Sequence, residues 1–245
     1  MGPNIYMGLL TSSLSYVLDR PVSCVVFRPP EPGPGPHPRP KYNKDIAYYE
    51  LNHAPSRDTV LLYSYGNSEC IAHVREYIEY LSRELETSII IYDYPGYGFT
   101  AGSPSESECY RALTIMTKYC QRKYKNVILV GRSLGTGVTV GVAHQLNWQS
   151  PIVLVSPYRS IGQIATDSCL AAAIGMFPTE SRIGQLSCPV RLIHGTKDRL
   201  IPIEHSYNLF KLLKHPLIPI YKTVGHNDIV LAPEDLSDIV PALRH

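Results

Sequence analysis

From residue 45 onward the chain alternates between short, continuous apolar runs and longer segments whose apolar residues recur at helical spacing. The runs Val60-Leu-Leu-Tyr63, Ile89-Ile-Ile-Tyr92, Val127-Ile-Leu-Val130 and Ile152-Val-Leu-Val155 have no polar face, which marks strands covered on both sides. The pattern predicts strands over 45–51, 59–64, 88–92, 126–130, 152–155, 190–194 and 218–224, and helices over about 68–85, 106–122, 134–146, 205–213 and 235–243. Ser105 stands three residues before Glu108, the spacing of a capping box. Strands alternating with helices imply an α/β fold: a mostly parallel central sheet with helices on both faces. Mixed residues between Val155 and Val190 leave room for a short cap above the strand ends, with 170–174 as a helical stretch.

Residues 29–40 read Pro-Pro-Glu-Pro-Gly-Pro-Gly-Pro-His-Pro-Arg-Pro. Proline removes backbone donors and fixes φ, so this segment is expected to be an extended connector that wraps the domain. The chain thus divides into an N-terminal segment, 1–40, and one α/β domain over 41–245. Ile5, Leu9, Leu10, Leu14, Val17 and Leu18 can form one apolar helix face, expected to pack on the domain, with peripheral membrane contact as the alternative. No apolar run reaches the roughly 18 residues of a membrane span.

The net charge of +2 is scattered rather than massed, so no nucleic-acid partner is expected. Six cysteines without a C-x-x-C pair or a secretory leader point to reduced thiols and a cytoplasmic protein.

Gly131-Arg132-Ser133-Leu134-Gly135 follows a buried run and opens a predicted helix. That is the setting the G-x-S-x-G motif requires: the glycines clear a sharp turn, and the serine hydroxyl projects above the sheet. The helix that follows aims its positive end at the same point. Serine is a poor nucleophile until a base takes its proton and a carboxylate orients that base. On such a sheet the order is serine, acid, histidine. Asp198 follows one predicted strand through Gly195-Thr-Lys, and His226 follows the next through Gly225. Ser133, Asp198 and His226 are therefore the candidate triad. Asp228, the competing acid, is expected to hold its loop or cap the last helix. His37, His53, His73, His144, His194, His205, His215 and His245 are read as structural.

An oxyanion needs two donors, one from the residue after the nucleophile and one from the loop after an early strand. Leu134 N–H is the first candidate. Asn67 N–H, in the turn Tyr65-Gly-Asn-Ser68, is the second, with Ser68 as cap of the next helix. The turn Asp93-Tyr-Pro-Gly-Tyr-Gly98 carries neither G-x-G-x-x-G nor a Walker lysine, so it reads as scaffold with Tyr94 or Tyr97 at the cleft. No H-E-x-x-H or similar cluster is present, and the chemistry requires no metal or cofactor.

Taken in order, Phe27-Arg-Pro-Pro-Glu-Pro32, Ser64-Tyr-Gly-Asn-Ser68, Tyr92-Asp-Tyr-Pro-Gly-Tyr-Gly98, Pro104-Ser-Glu106, Gly131-Arg-Ser-Leu-Gly-Thr136, Ile193-His-Gly-Thr-Lys-Asp198 and Gly225-His-Asn-Asp228 resemble the alpha/beta-hydrolase domain-containing family seventeen. The resemblance implies an α/β-hydrolase fold and a protein depalmitoylase, which cleaves the thioester between a fatty acyl chain and a cysteine of a lipidated, membrane-associated protein. Tyr65, Tyr94, Met176 and Phe177 are the candidate lining of an acyl pocket. Two positions depart from the family. Cys24 is the sole early cysteine where the family carries a palmitoylated cluster, and Tyr65 stands where it usually places His. A small-ester carboxylesterase or lysophospholipase shares the same triad, and a non-catalytic binding module shares the same fold.

Overall fold

The computed structural model describes residues 26–54, 58–164 and 175–240. Its strands are β1 (Lys41–Asn43), β2 (Ile46–Leu51), β3 (Thr59–Ser64), β4 (Ser88–Tyr92), β5 (Asn126–Arg132), β6 (Ile152–Val155), β7 (Val190–Gly195) and β8 (Ile220–Lys222). They form one eight-stranded sheet in the order β1-β2-β4-β3-β5-β6-β7-β8. The β1–β2 hairpin joins β4 antiparallel, and every pairing from β4 to β8 is parallel. Every residue of β3, β4, β6 and β7 is buried. Because side chains alternate between faces, this requires cover on both sides of the sheet, as the continuous apolar runs demand. The fold is that of the α/β hydrolases.

The helices are α1 (Ile71–Glu84), α2 (Glu106–Lys123), α3 (Leu134–Gln145), α4 (Ile161–Ile164), α5 (Thr179–Ile183) and α6 (Glu204–Phe210). Ser105 caps α2 as its spacing implies, accepting the Glu108 N–H at 3.1 Å. Three expectations change. Helix α1 begins at Ile71 with Cys70 as its cap, because Ser68 sits in a turn at φ 65 and does not cap it. The last strand shrinks to Ile220–Lys222, since Pro219 has no N–H to give an edge ladder. The expected final helix is a 3-10 turn at Pro233–Asp235 followed by turns through 239, because Pro241 disfavours helical backbone at Val240. The expected stretch 170–174, the N-terminal helix face, Cys24 and Cys169 lie outside the described residues.

The proline-rich connector runs over the domain without strand or helix from residue 27 to 40. Pro30 O accepts the Gly98 N–H at 3.0 Å, Pro38 O accepts the Tyr49 hydroxyl at 2.6 Å, and Phe27 is buried edge-on to Phe177. Among the described residues, Cys70, Cys109, Cys120 and Cys188 are buried thiols. No described helix is long and apolar enough to cross a membrane.

Helix α3 is buried on every side from Leu134 to Ala143, and its glycines and β-branched residues are weak helix formers. Tertiary packing holds it. A Cβ at Gly135 would overlap the Ser64 carbonyl oxygen at the end of β3, and one at Gly141 would overlap the Tyr110 ring of α2. The helix therefore lies almost against the sheet, and its first turn is fixed relative to β3. Gly135→Ala is expected to lose about 2–3 kcal/mol, read from the denaturant midpoint, because the obstruction is backbone and cannot swing aside.

Candidate active site

Register brings the functional loops to one edge. Ser64 pairs with Gly131, Arg132 with Val155, and Gly195 with Lys222, so the turns leaving β3, β5, β7 and β8 all emerge at the carboxyl end of the sheet. Ser133 occupies the turn between β5 and α3 at φ 50 and ψ −117, a backbone that costs about 1–3 kcal/mol outside glycine. Its N–H donates to Val155 O at 2.9 Å, and its carbonyl accepts from the Thr136 N–H at 2.9 Å and the Thr136 hydroxyl at 2.7 Å. A Cβ at Gly131 would overlap Gly135 O, so the pentapeptide's glycines are steric requirements of the turn.

Ser133, Asp198 and His226 come together. His226 Nε2 lies 3.1 Å from Ser133 Oγ, and His226 Nδ1 lies 2.6 Å from Asp198 Oδ2. A carboxylate only accepts, so Nδ1 carries the proton and Nε2 is left to take one from the serine. Asp198 Oδ1 accepts the Leu200 and Ile201 N–H groups at 2.9 and 2.8 Å. Burial pushes the Asp198 carboxyl up, but hydrogen bonds from His194, His226 and Ile201 outweigh it and hold the group well below the usual carboxylate range. It is therefore a fixed negative charge beneath the imidazole. Asp228 stays in its own loop, with Oδ2 accepting the Gly225 N–H at 3.3 Å.

The turn after β3 stands over the serine: a Cβ on Gly66 would lie 3.4 Å from Ser133 Cβ. Gly66 N–H donates to Glu69 Oε2 at 2.6 Å, and Ser68 N–H to Asn67 Oδ1 at 3.2 Å. The Asn67 side chain turns away, donating to Val26 O at 2.6 Å and accepting from the Arg28 N–H at 3.0 Å and the Tyr97 hydroxyl at 2.8 Å. Neither Asn67 N–H nor Leu134 N–H has a hydrogen-bond partner among the described residues. Those are the two donors the sequence singles out.

Tyr65, Tyr94 and Phe177 have no exposed surface, and Met176 is 4% exposed, so all four pack in the interior. Tyr65 donates its hydroxyl to Asp93 Oδ1 at 2.9 Å, while Tyr94 donates to Tyr65 O at 2.9 Å, which ties the turn down from below. Phe177 packs edge-on against Phe27 and Tyr110. An apolar ring beside a strand end can point into the core or the cleft, and sequence spacing does not distinguish the two.

His194 has a role its sequence setting did not reveal. Wholly buried at the end of β7, it places Nε2 2.9 Å from Ile201 O and 3.3 Å from Asp198 Oδ2, with Nδ1 2.6 Å from Ser206 Oγ. A carbonyl acceptor puts the proton on Nε2, so Nδ1 accepts from the serine. The available signal was a polar residue near the end of the strand, four positions before the acid. Among the described residues no group of three His, Cys, Asp or Glu is placed to hold a metal ion.

A strained serine between strand and helix, with acid and histidine on later strand ends of this sheet, defines the architecture of the α/β hydrolases. Comparison agrees. The chain is 39% identical over 183 residues to a protein of Acanthamoeba polyphaga mimivirus named as an alpha/beta hydrolase, L404, covering 72% of this chain and 70% of that one. It therefore belongs to the alpha/beta hydrolase family. It is also 31% identical over 185 residues to human alpha/beta hydrolase domain-containing protein 17B, covering 73% of this chain and 64% of that protein. The chain thus spans under two thirds of the length of that relative, a likeness in line with the family-seventeen resemblance of its motifs. Residues 45–150 match the family model described as Chlamydia CHLPS protein (DUF818). In fold it is similar to a lipase-esterase related protein from Clostridium acetobutylicum ATCC 824, with a TM-score of 0.63 and 16% identity, covering 80% of this chain and 100% of that chain.

Two measurements test the buried support. Replacing His194 by Leu strands the Ile201 carbonyl and the Ser206 hydroxyl and should cost about 2–3 kcal/mol of stability, whereas His194→Gln keeps a donor and should lose less. Asp93, beneath the turn after β3, is pushed up to about 6 because burial outweighs its hydrogen bonds from Ile71, Phe99 and Tyr65. Between the unfolded carboxyl value of about 3.9 and the folded value, the native state holds a proton that the unfolded chain has lost. Its contribution is complete below pH 4 and fades as pH rises through about 6, by at most roughly 3 kcal/mol. Asp93→Asn should flatten that slope in denaturation curves taken from pH 4 to 7.

Proposed function

We propose that this chain is a serine hydrolase that cleaves acyl esters and thioesters through an acyl-enzyme, with a protein S-acyl thioester as its substrate class. The observation that carries the reading is the relay from Ser133 Oγ through His226 to Asp198 at 3.1 and 2.6 Å. His226 Nε2 accepts the serine proton as Oγ attacks the carbonyl carbon, and Asp198 stabilises the imidazolium that forms. The Asn67 and Leu134 N–H groups, at the positive end of α3, receive the charge on the tetrahedral oxygen. Collapse expels the leaving thiol or alcohol, which takes the proton from His226. Water then gives a proton to the same nitrogen as its oxygen bonds to the acyl carbon, and the proton returns to Ser133 Oγ as the C–Oγ bond breaks and the acid leaves.

The thioester preference rests on the resemblance to family seventeen, since the triad itself serves oxygen and sulfur esters alike. Intact-mass measurement after incubation with short and long acyl thioesters separates the readings. A long acyl group retained on Ser133 supports acyl-protein thioesters as substrates. Acylation by short chains alone favours a small-ester carboxylesterase.

Ser133→Ala should abolish fluorophosphonate labelling and lower turnover by about a thousandfold or more without loss of folding. Retained turnover in that variant would exclude the mechanism.

A further inference from the structure

Arg132, the residue immediately before Ser133, reaches both loops that flank the nucleophile. Its Nη1 donates to Glu69 Oε1 at 2.9 Å, and the other oxygen of that carboxylate accepts the Gly66 N–H at 2.6 Å. Its Nη2 lies 3.3 Å from the carbonyl oxygen of His226 and 3.5 Å from Asn227 Oδ1. The Arg132 side chain is only 14% exposed, so this is a shielded, forked contact rather than a solvated surface pair.

We propose that Arg132 and Glu69 form a clamp that sets the oxyanion turn and the histidine loop relative to the serine, making both of them positioning residues for the reaction. The inference rests on the serine-hydrolase reading of Ser133.

The physical case is one of registration. The oxyanion turn leaves β3 and the histidine loop leaves β8, strands separated in the sheet by β5, β6 and β7. The hydrogen bonds that hold each loop from behind do not set the distance between them: the turn is tied to Asp93 and the connector, and the histidine loop to Lys197 N–H through Val224 O. Arg132 sits at the end of β5, on the strand that carries the nucleophile, so it measures both loops from the reacting atom. Glu69 occupies the Gly66 N–H, which leaves the next N–H of the turn, that of Asn67, as the candidate oxyanion donor. A lysine cannot reproduce this arrangement, because a single ammonium lacks the planar fork that spans a carboxylate and a carbonyl.

Displacing a reacting group by about 1 Å can cost on the order of a hundredfold in rate. Arg132→Ala, Arg132→Lys and Glu69→Gln should each lower kcat, and the rate of fluorophosphonate labelling, by about tenfold to a hundredfold with KM within about twofold. Millimolar guanidinium chloride should restore part of the labelling rate in Arg132→Ala and none in Glu69→Gln. An ion pair that only stabilised the fold would give the opposite pattern, since guanidinium would not recover activity and a fall in melting temperature would track the lost rate.

Variants that label and turn over within about twofold of wild type overturn the clamp, as does a loss in Arg132→Ala that guanidinium leaves unchanged. Failure of the wild-type chain to label at Ser133 overturns the serine-hydrolase reading itself. A labelling wild type with indifferent variants overturns the clamp alone.

Discussion

The site depends on a backbone that most residues avoid. Ser133 is held at φ 50 because β5 and α3 meet with no spare volume: side chains at Gly131 or Gly135 would overlap backbone on the next turn or on β3. That crowding turns an unfavourable conformation into the one the chain adopts, with the Val155 carbonyl and Thr136 closing the hydrogen bonds around it. The hydroxyl is presented at the sheet edge as a result of packing. The same close approach brings Leu134 N–H to the start of α3, beside the turn that leaves β3.

Beneath this edge lie two buried carboxylates, each with its partners. Asp93 takes the Ile71 and Phe99 N–H groups and the Tyr65 hydroxyl, and so fastens the turn after β3 to the neighbouring strand end. Asp198 receives two imidazoles and two backbone donors. Unpaired, either carboxylate would be costly in such surroundings; paired, each fixes the orientation of what it holds. Tyr65 illustrates the point. Its phenol reaches Asp93 and keeps the turn after β3 attached to β4.

Rigidity of this kind suits chemistry in which charge builds on one oxygen within a fixed cage, since donors already in place need not reorganise as the reaction proceeds. Strand ends of a parallel sheet provide the positions. Loops from different strands supply the base, the acid and the donors, and buried contacts hold them in common register.

Much of this was legible in the residues alone. The apolar runs mark both-face burial because strand geometry permits no other use of an unbroken hydrophobic stretch, and the glycine-flanked serine marks the turn because only glycine fits beside it. Asp198 and His226 stood out as polar residues just beyond strand ends. What pairs across space was not legible. Whether Tyr65, Tyr94 and Phe177 faced cleft or core, whether His194 supported the acid, and which groups Arg132 and Glu69 joined depended on side chains meeting from segments distant in sequence. Periodicity reports the face a residue occupies on its own element, and only tertiary packing decides what stands opposite that face.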